Sequence, residues 1–338
     1  MSLNAPSEIL EALSGMGLVA PGSPCQIKPL GGGVSCDVFE IRCASRTICV
    51  KRALEKLRVA AEWRAPAERS QAEVAWFRLV AAIDPRWVPA VLGEDRARHL
   101  FAMEFLPPES HPVWKSLLAE GEADPAFAAR VGEVLAKIHA CTAGSEVIAR
   151  QFRNNAQFHA LRTDAYLFFT AAKHPDVAPS IRAMADGLCR SRIALMHGDV
   201  SPKNILVGPD GPVFIDAETC CYGDPAFDLA FCLNHLLLKG VWHPEHAAGY
   251  GKCFASLAGS YFSGVTWEDR RELECRAAGL LSAFLLARID GKSPVEYVTS
   301  DLDKAFVRAM AKDFLNGRAT ALSFMLDRWT EALSIRQM

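Results

Sequence analysis

The run Met196-His197-Gly198-Asp199-Val200-Ser201-Pro202-Lys203-Asn204-Ile205-Leu206-Val207 decides how this chain is read. Asp199 and Asn204 lie five residues apart, just ahead of a short apolar strand, Ile205 to Val207. Twelve residues after Asn204 comes Asp216, in Phe214-Ile215-Asp216-Ala217-Glu218, at the end of a second strand, Val213 to Ile215. A His-Gly-Asp tripeptide alone arises readily in turns. An Asp and an Asn on one strand-flanked loop and an Asp on the next are more specific. Carboxylates and amide carbonyls are hard oxygen donors of the type that magnesium takes. A carboxylate beside a hydroxyl orients it and accepts its proton.

Taken together, these residues resemble the kinase catalytic loop, H-x-D-x-x-x-x-N, and the magnesium-binding Asp that follows it. The His-Gly-Asp form is similar to that of the aminoglycoside-phosphotransferase and choline-kinase superfamily. The resemblance implies an α+β, two-lobed protein-kinase-like fold, with a small N-terminal β-sheet lobe and a large, mainly helical C-terminal lobe. It implies ATP or GTP as phosphoryl donor, Mg2+ as metal, and a small hydroxyl-bearing acceptor. Asp199 then takes the catalytic-base role, and Asn204 and Asp216 the metal-ligand roles. Glu218 completes a D-x-E pattern as a further metal carboxylate. His197 reads as a packed scaffold residue. Lys203 has two open readings: it reaches the γ-phosphate, or it points to solvent. Tyr222-Gly223-Asp224-Pro225-Ala226-Phe227-Asp228-Leu229-Ala230 resembles the superfamily's G-D-P-x-x-D-L-A element, in which Asp228 opens a helix as its N-cap and braces the catalytic loop.

The upstream half fits the same plan. Ser7 opens a short helix that stops at Gly15 or Gly17. Cys25 to Leu30, Val34 to Arg42 and Thr47 to Lys51 read as strands. Gly31, Gly32 and Gly33, with Ser35, join the first two, where a kinase places its phosphate-covering loop. An ordinary glycine-rich hairpin is the alternative reading of that turn. Lys51 ends its strand at the position of the kinase lysine that contacts the α- and β-phosphates. A helix from Pro66 to Ala82 carries its expected partner, Glu73, with Glu68 as the alternative. Ala90 to Gly93 and His99 to Leu106 read as a hairpin turning at Asp95-Arg96. Met103, Glu104 and Leu106 are expected to line the adenine pocket at a hinge over residues 104–108, before Pro107-Pro108. The lobes then divide as 1–106, nucleotide-binding, and 107–338, catalytic and substrate-binding.

A second resemblance concerns the acceptor. The stretch Lys51-Arg52-Ala53-Leu54-Glu55-Lys56-Leu57-Arg58-Val59, with Trp63, Arg69 and Glu73, looks like the 5-methylthioribose kinases. The Lys203-Asn204 pair departs from that family. Arg288 to Tyr297 is a polar, turn-rich interruption of the C-terminal helices, in which Asp290, Lys292 and Glu296 are candidates for polar substrate contacts. A solvated interhelix loop is the plainer reading.

Composition narrows the rest. The net charge of −2 supplies no global basic field for nucleic acid or an anionic membrane. The apolar stretch Leu229 to Leu238 is too short to span a bilayer and is interrupted by Asn234 and His235. No secretory pattern opens the chain, and a cytoplasmic location is expected. Its 11 cysteines are expected to be reduced core thiols. The sequence leaves the oligomeric state open. Two other readings compete: a protein-kinase-like protein acting on a protein substrate, and a non-catalytic nucleotide-binding scaffold. About eight residues separate Asp216 from Pro225, which leaves no room for an activation segment. The full set of catalytic residue types argues against a scaffold.

Overall fold

The computed structural model describes residues 5–31, 35–44, 46–54 and 66–337. Gly32, Gly33, Glu55 to Val59 and Trp63 lie outside them. Helix α1 (Ala5–Gly15) leads into strands β1 (Cys25–Leu30), β2 (Cys36–Cys43) and β3 (Arg46–Ala53). Helix α2 (Arg69–Ile83), β4 (Val91–Asp95) and β5 (Leu100–Glu104) follow. The five strands form one antiparallel sheet in the order β1-β2-β3-β5-β4.

Strand alternation decides what each face of the sheet does. Ile48 and Val50 of β3, with Phe39, Ile41, Leu100 and Ala102, pack under Ile9, Ala12 and Leu13 of α1. Cys49, Phe101 and Met103 face the other way, onto Val74, Trp76 and Phe77 of α2. Lys51 shares the parity of Cys49. The same two-residue period that buries Cys49 therefore aims the lysine at α2.

The remainder is mainly helical: α3 (Trp114–Ala119), α4 (Pro125–Thr142), α5 (Glu146–Gln151), α6 (Asn155–Phe158), α7 (Phe169–Lys173) and α8 (Ala178–Arg190). A ten-residue π-helical stretch, His159–Phe168, joins α6 to α7. The chain then forms β6 (Ala194–Met196), β7 (Ile205–Gly208), β8 (Gly211–Phe214) and β9 (Cys221–Gly223). β6 pairs with β9, and β7 with β8. The C-terminal helices are α9 (Ala226–Trp242), α10 (Ala247–Ser263), α11 (Arg270–Asp290), α12 (Asp301–Gly317) and α13 (Leu322–Gln337). α9 runs through the core, with every residue from Ala226 to Val241 buried. Among the described residues no helix is long and apolar enough to cross a membrane.

Three local expectations change. The hairpin turn spans residues 96–99 rather than Asp95-Arg96, and its second strand ends at Glu104. Phe158 to Ala172 is not one α-helix, because its centre is wound as π-helix. Cys25 and Cys43 are not free thiols: they are register partners at the open end of the β1–β2 hairpin and are joined as a disulfide, with Cα atoms 4.4 Å apart. That spacing is what a disulfide requires. Cys141 and Cys275 are exposed rather than in the core.

Candidate active site

β6 delivers the His197-Gly198-Asp199 loop. Its pairing of Met196 with Cys221 of β9 ends where His197-Gly198-Asp199 begins. Asp228, on the first turn of α9, holds that loop from below. One carboxylate oxygen accepts the His197 backbone N–H at 2.7 Å, the other that of Gly198 at 2.9 Å. The bracing expected of Asp228 is thus seen, but the N-capping is not. The side chain that accepts a helix-opening N–H is Asp224, from Ala226 at 3.0 Å. His139 adds a third contact to Asp228, 3.4 Å away, and is held in turn by the Tyr261 hydroxyl at 2.9 Å. Asp228→Ala strands two buried N–H donors, each worth about 1–3 kcal/mol when unpaired. We expect it to destabilise the fold by about 3 kcal/mol or more, read by denaturant unfolding.

Gly198 has φ +80°, and a Cβ there would lie 2.4 Å from the Thr219 carbonyl oxygen. Gly198→Ala combines a left-handed backbone cost of about 1–2 kcal/mol with that clash. It should lower the thermal midpoint and misplace Asp199, which a melting curve and an activity assay would both register.

His197 packs edge-on against Trp76, with ring centroids 4.9 Å apart. Its Nε2 lies 3.0 Å from the Ile215 carbonyl, and its Nδ1 accepts the Asp199 N–H at 3.2 Å. Burial lowers its pKa and keeps it neutral, as this donor–acceptor pattern needs. It serves as scaffold.

Asp199 is buried and surrounded by donors. Arg162 Nη2 lies 3.1 Å and Lys203 Nζ 3.0 Å from its Oδ2. Asn204 Nδ2 donates to the same oxygen at 2.8 Å and to the Asp199 carbonyl at 3.0 Å. Burial alone would raise this pKa. Arg162 and then Lys203 outweigh it and hold the carboxyl below its ordinary value. Lys203, with its side chain half exposed, is directed at Asp199 rather than away from the site. The β7–β8 hairpin brings the two loops together: Ile205 pairs with Phe214, and Ile215 N–H donates to the Asn204 carbonyl at 3.0 Å. Asp216, directly after, has a left-handed backbone, φ 66°. An Asp tolerates that conformation better than most residues, and such positions gather at functional sites.

Lys51 joins the sheet to the loops. It donates to Glu73 Oε2 at 2.7 Å and Oε1 at 2.9 Å, and to Asp216 Oδ1. Burial pushes the Lys51 pKa down, but Asp216 and Glu73 more than compensate, so it stays charged. Burial raises Glu73 to about 7, against the pull of Lys51. Asp216 is held well below the carboxylate range: burial would raise it, and Lys51 and Lys203 outweigh that. Glu68, the alternative partner, is exposed at the start of α2.

Glu218 points elsewhere. Its Oε2 accepts from Arg69 Nε at 2.9 Å and lies 3.3 Å from Cys36 Sγ. Arg69 sits one turn before Glu73 on α2, fully buried, and also donates to the carbonyls of Ser35, Leu54 and Pro66. Glu218 thus ties α2 and the start of β2 to the loop after β8. Among the described residues no three His, Cys, Asp or Glu side chains gather at metal-binding range. Met103 is buried on β5, and Glu104 N–H donates to the Ala90 carbonyl at 2.8 Å. Gly31 and Ser35 flank the undescribed part of the glycine turn.

Asp290 and Glu296 do not stand free for substrate. Asp290 binds Arg308 Nε and Nη2 at 2.7 Å and His174 at 2.9 Å, and Glu296 pairs with Lys115. The residue that sequence reasoning missed is Arg162. It contacts the Asp199 carboxylate and donates from Nε to the Gly198 carbonyl at 2.7 Å. It lies in the π-helical stretch, and its only signal was an arginine flanked by the apolar face of Leu161 and Ala165.

A fold of this kind, with a strand lysine paired to a glutamate of the adjoining helix and an Asp-x-x-x-x-Asn loop facing them, is that of a protein-kinase-like phosphotransferase. The profile of the phosphotransferase enzyme family matches residues 26–261, and the chain belongs to that family. A methylthioribose kinase of Pectobacterium carotovorum is 28% identical over 266 residues, covering 69% of this chain and 66% of that protein. The matched stretch thus falls just short of two thirds of that relative's length. A choline/ethanolamine kinase family protein of Mesorhizobium loti superposes with a TM-score of 0.57 at 16% identity, covering 97% of this chain and 99% of the other. An amicoumacin kinase, solved with AMP-PNP, Ca2+ and Ami, gives 0.59 at 12% identity, covering 95% and 98%. Both likenesses concern the fold.

Proposed function

We propose that the protein is an ATP- or GTP-dependent small-molecule kinase that moves the γ-phosphoryl group to an acceptor hydroxyl. The observation that carries this reading is Asp199: a buried carboxylate, kept ionised by Arg162 and Lys203, facing the Lys51–Glu73–Asp216 ion-pair chain. Asp199 orients the acceptor O–H and takes its proton as the new O–P bond forms and the bond to the β–γ bridging oxygen breaks. Lys51 binds the α- and β-phosphates, and Glu73 keeps it in place. Residues 104–108 form the hinge between the two lobes, with Met103, Glu104 and Leu106 around the adenine. The glycine turn Gly31 to Gly33, with Ser35, covers the phosphates.

The donor set suits magnesium. Asp216 presents a carboxylate held ionised. Asn204 spends its Nδ2 on Asp199, which leaves its Oδ1 as a hard acceptor. When bound there, the ion neutralises charge on the β- and γ-phosphates. Glu218 joins this set only by releasing Arg69. The methylthioribose kinase likeness supports a sugar-like acceptor.

The test is acceptor-dependent ADP release with Mg-ATP and Mg-GTP over sugars, amino alcohols, hydroxy acids and antibiotics. Release with at least one acceptor is expected. Tight nucleotide binding with no transfer to any acceptor would instead favour a binding protein.

A further inference from the structure

Four polar residues lie on the buried helix α9: Asp228, Asn234, His235 and Lys239. Buried polar groups ordinarily have partners. Asp228 braces the loop at His197 and Gly198, Asn234 donates to the Phe231 carbonyl while its Oδ1 has no partner among the described residues, and His235 Nδ1 faces the Tyr297 hydroxyl at 3.3 Å. Lys239 differs in that its unmet group is a cation. It is 1% exposed, and among the described residues its Nζ has no hydrogen-bond partner. It lies 5.1 Å from the Trp242 ring centroid and 5.2 Å from that of Tyr297. Ring faces attract an ammonium, but they do not satisfy its three N–H donors. Burial, then repulsion from Lys115, bring Lys239 down to about 8.

Arg288 carries a second orphan. Its Nη1 donates to the Tyr166 hydroxyl at 3.1 Å and the Ser293 carbonyl at 2.5 Å, while its buried Nε has no partner among the described residues. The Tyr166 ring lies 5.6 Å from the Arg288 guanidinium carbon and 6.0 Å from that of Arg162. One tyrosine thus links Arg288 to the arginine on the base carboxylate. His235, one turn before Lys239 on α9, lies within electrostatic reach of both orphans. Burial, and then four cations, Arg288, Lys203, Lys239 and Lys115, keep it neutral. The carboxylates nearby are already paired: Asp199 with Arg162 and Lys203, Glu296 with Lys115. A cationic acceptor meets repulsion here. A neutral one leaves an ammonium and a guanidinium N–H buried without an acceptor, which is costly.

We propose that Lys239 and Arg288, with Lys203 and Lys115 around them, bind an anionic group, and that the phosphate acceptor is a small hydroxyl compound carrying a carboxylate or a phosphate. This rests on the kinase reading above, and its test separates the two. Calorimetric titrations in the presence of Mg-AMP-PNP compare ribose 5-phosphate with ribose and gluconate with glucose. At least one anion should bind about tenfold or more tighter than its neutral counterpart, as charge-assisted contacts require. The pair that shows the preference tells phosphate from carboxylate. Lys239→Met should weaken that anion about tenfold and leave Mg-AMP-PNP binding unchanged, while Lys239→Arg keeps part of the affinity. Equal binding of both members of each pair would overturn the proposal. So would unchanged anion affinity in Lys239→Met, or no binding of either anion up to about 50 mM. Should Lys239→Met not fold, the wild-type preference decides. Failure of Mg-AMP-PNP itself to bind would count against the kinase reading instead.

Discussion

Asp199→Asn should lower kcat by about 10²- to 10⁴-fold, the range that a positioned general base contributes. The substitution keeps size and shape, removes the negative charge and turns one acceptor oxygen into an NH2 donor, so its amide oxygen must take the Oδ2 place that faces Arg162, Lys203 and Asn204. Arg162 retains its bonds to the Gly198 and Leu161 carbonyls, so the loop should stay in place. The KM for nucleotide should therefore stay within about threefold, since uniform binding is untouched. A loss of less than about tenfold would remove Asp199 from the base role. The pH profile adds a check. Burial pulls the Asp199 pKa up and Arg162 and Lys203 pull it down further, so the net shift is downward. The carboxylate is then already ionised at the ordinary Asp value near 3.9, and kcat/KM should not lose this group on acidification until below about pH 4. An acid limb between about pH 5 and 7 that Asp199→Asn abolishes would contradict that order.

Lys51→Met should cost both stability and activity. Lys51 stands between Glu73 and Asp216, and its side chain is 6% exposed. Removing one partner of a buried ion pair typically costs about 3–5 kcal/mol, because the remaining charge is left uncompensated. Denaturant unfolding should show that loss. The double variant Lys51→Met/Glu73→Gln removes both charges. It should recover about 1 kcal/mol or more relative to the sum of the single effects, the signature of direct coupling. Activity should not recover with it. The loss of a preorganised cation at the phosphates should keep kcat/KM about 10²-fold or more below wild type. Additive stability effects would mean that the pair contributes nothing as a pair.

Legibility followed distance along the chain. Asp199 and Asn204 are five residues apart, and a single β7–β8 hairpin places Asp216 against them. Spacing alone therefore carried most of that site. Lys51 was readable from its strand, and the strand–helix order narrowed its partner to Glu73 or Glu68; only the structure, in which Glu73 is buried against the lysine and Glu68 is exposed, chose between them. Asp228 was readable as a brace but misread as a cap, since both assignments put an Asp in the first turn of α9 and only coordinates separate them. Glu218 shows the opposite case. Its Asp216-x-Glu218 spacing suggests a shared metal, yet its carboxylate is taken by Arg69, 149 residues away.

The sequence by itself thus determined the class of fold, the position of Asp199, and the lysine and oxygen donors grouped around it, because each depends on geometry within one turn, hairpin or strand–helix step. The tertiary structure alone decided which cations stand beside Asp199, that Cys25 meets Cys43, and that Lys239 and Arg288 are buried with donors unmet among the described residues. Those features come from segments far apart in the chain, brought together by burial of α9 and by the π-helical stretch that carries Arg162 and Tyr166 inward, and no local pattern encodes such meetings.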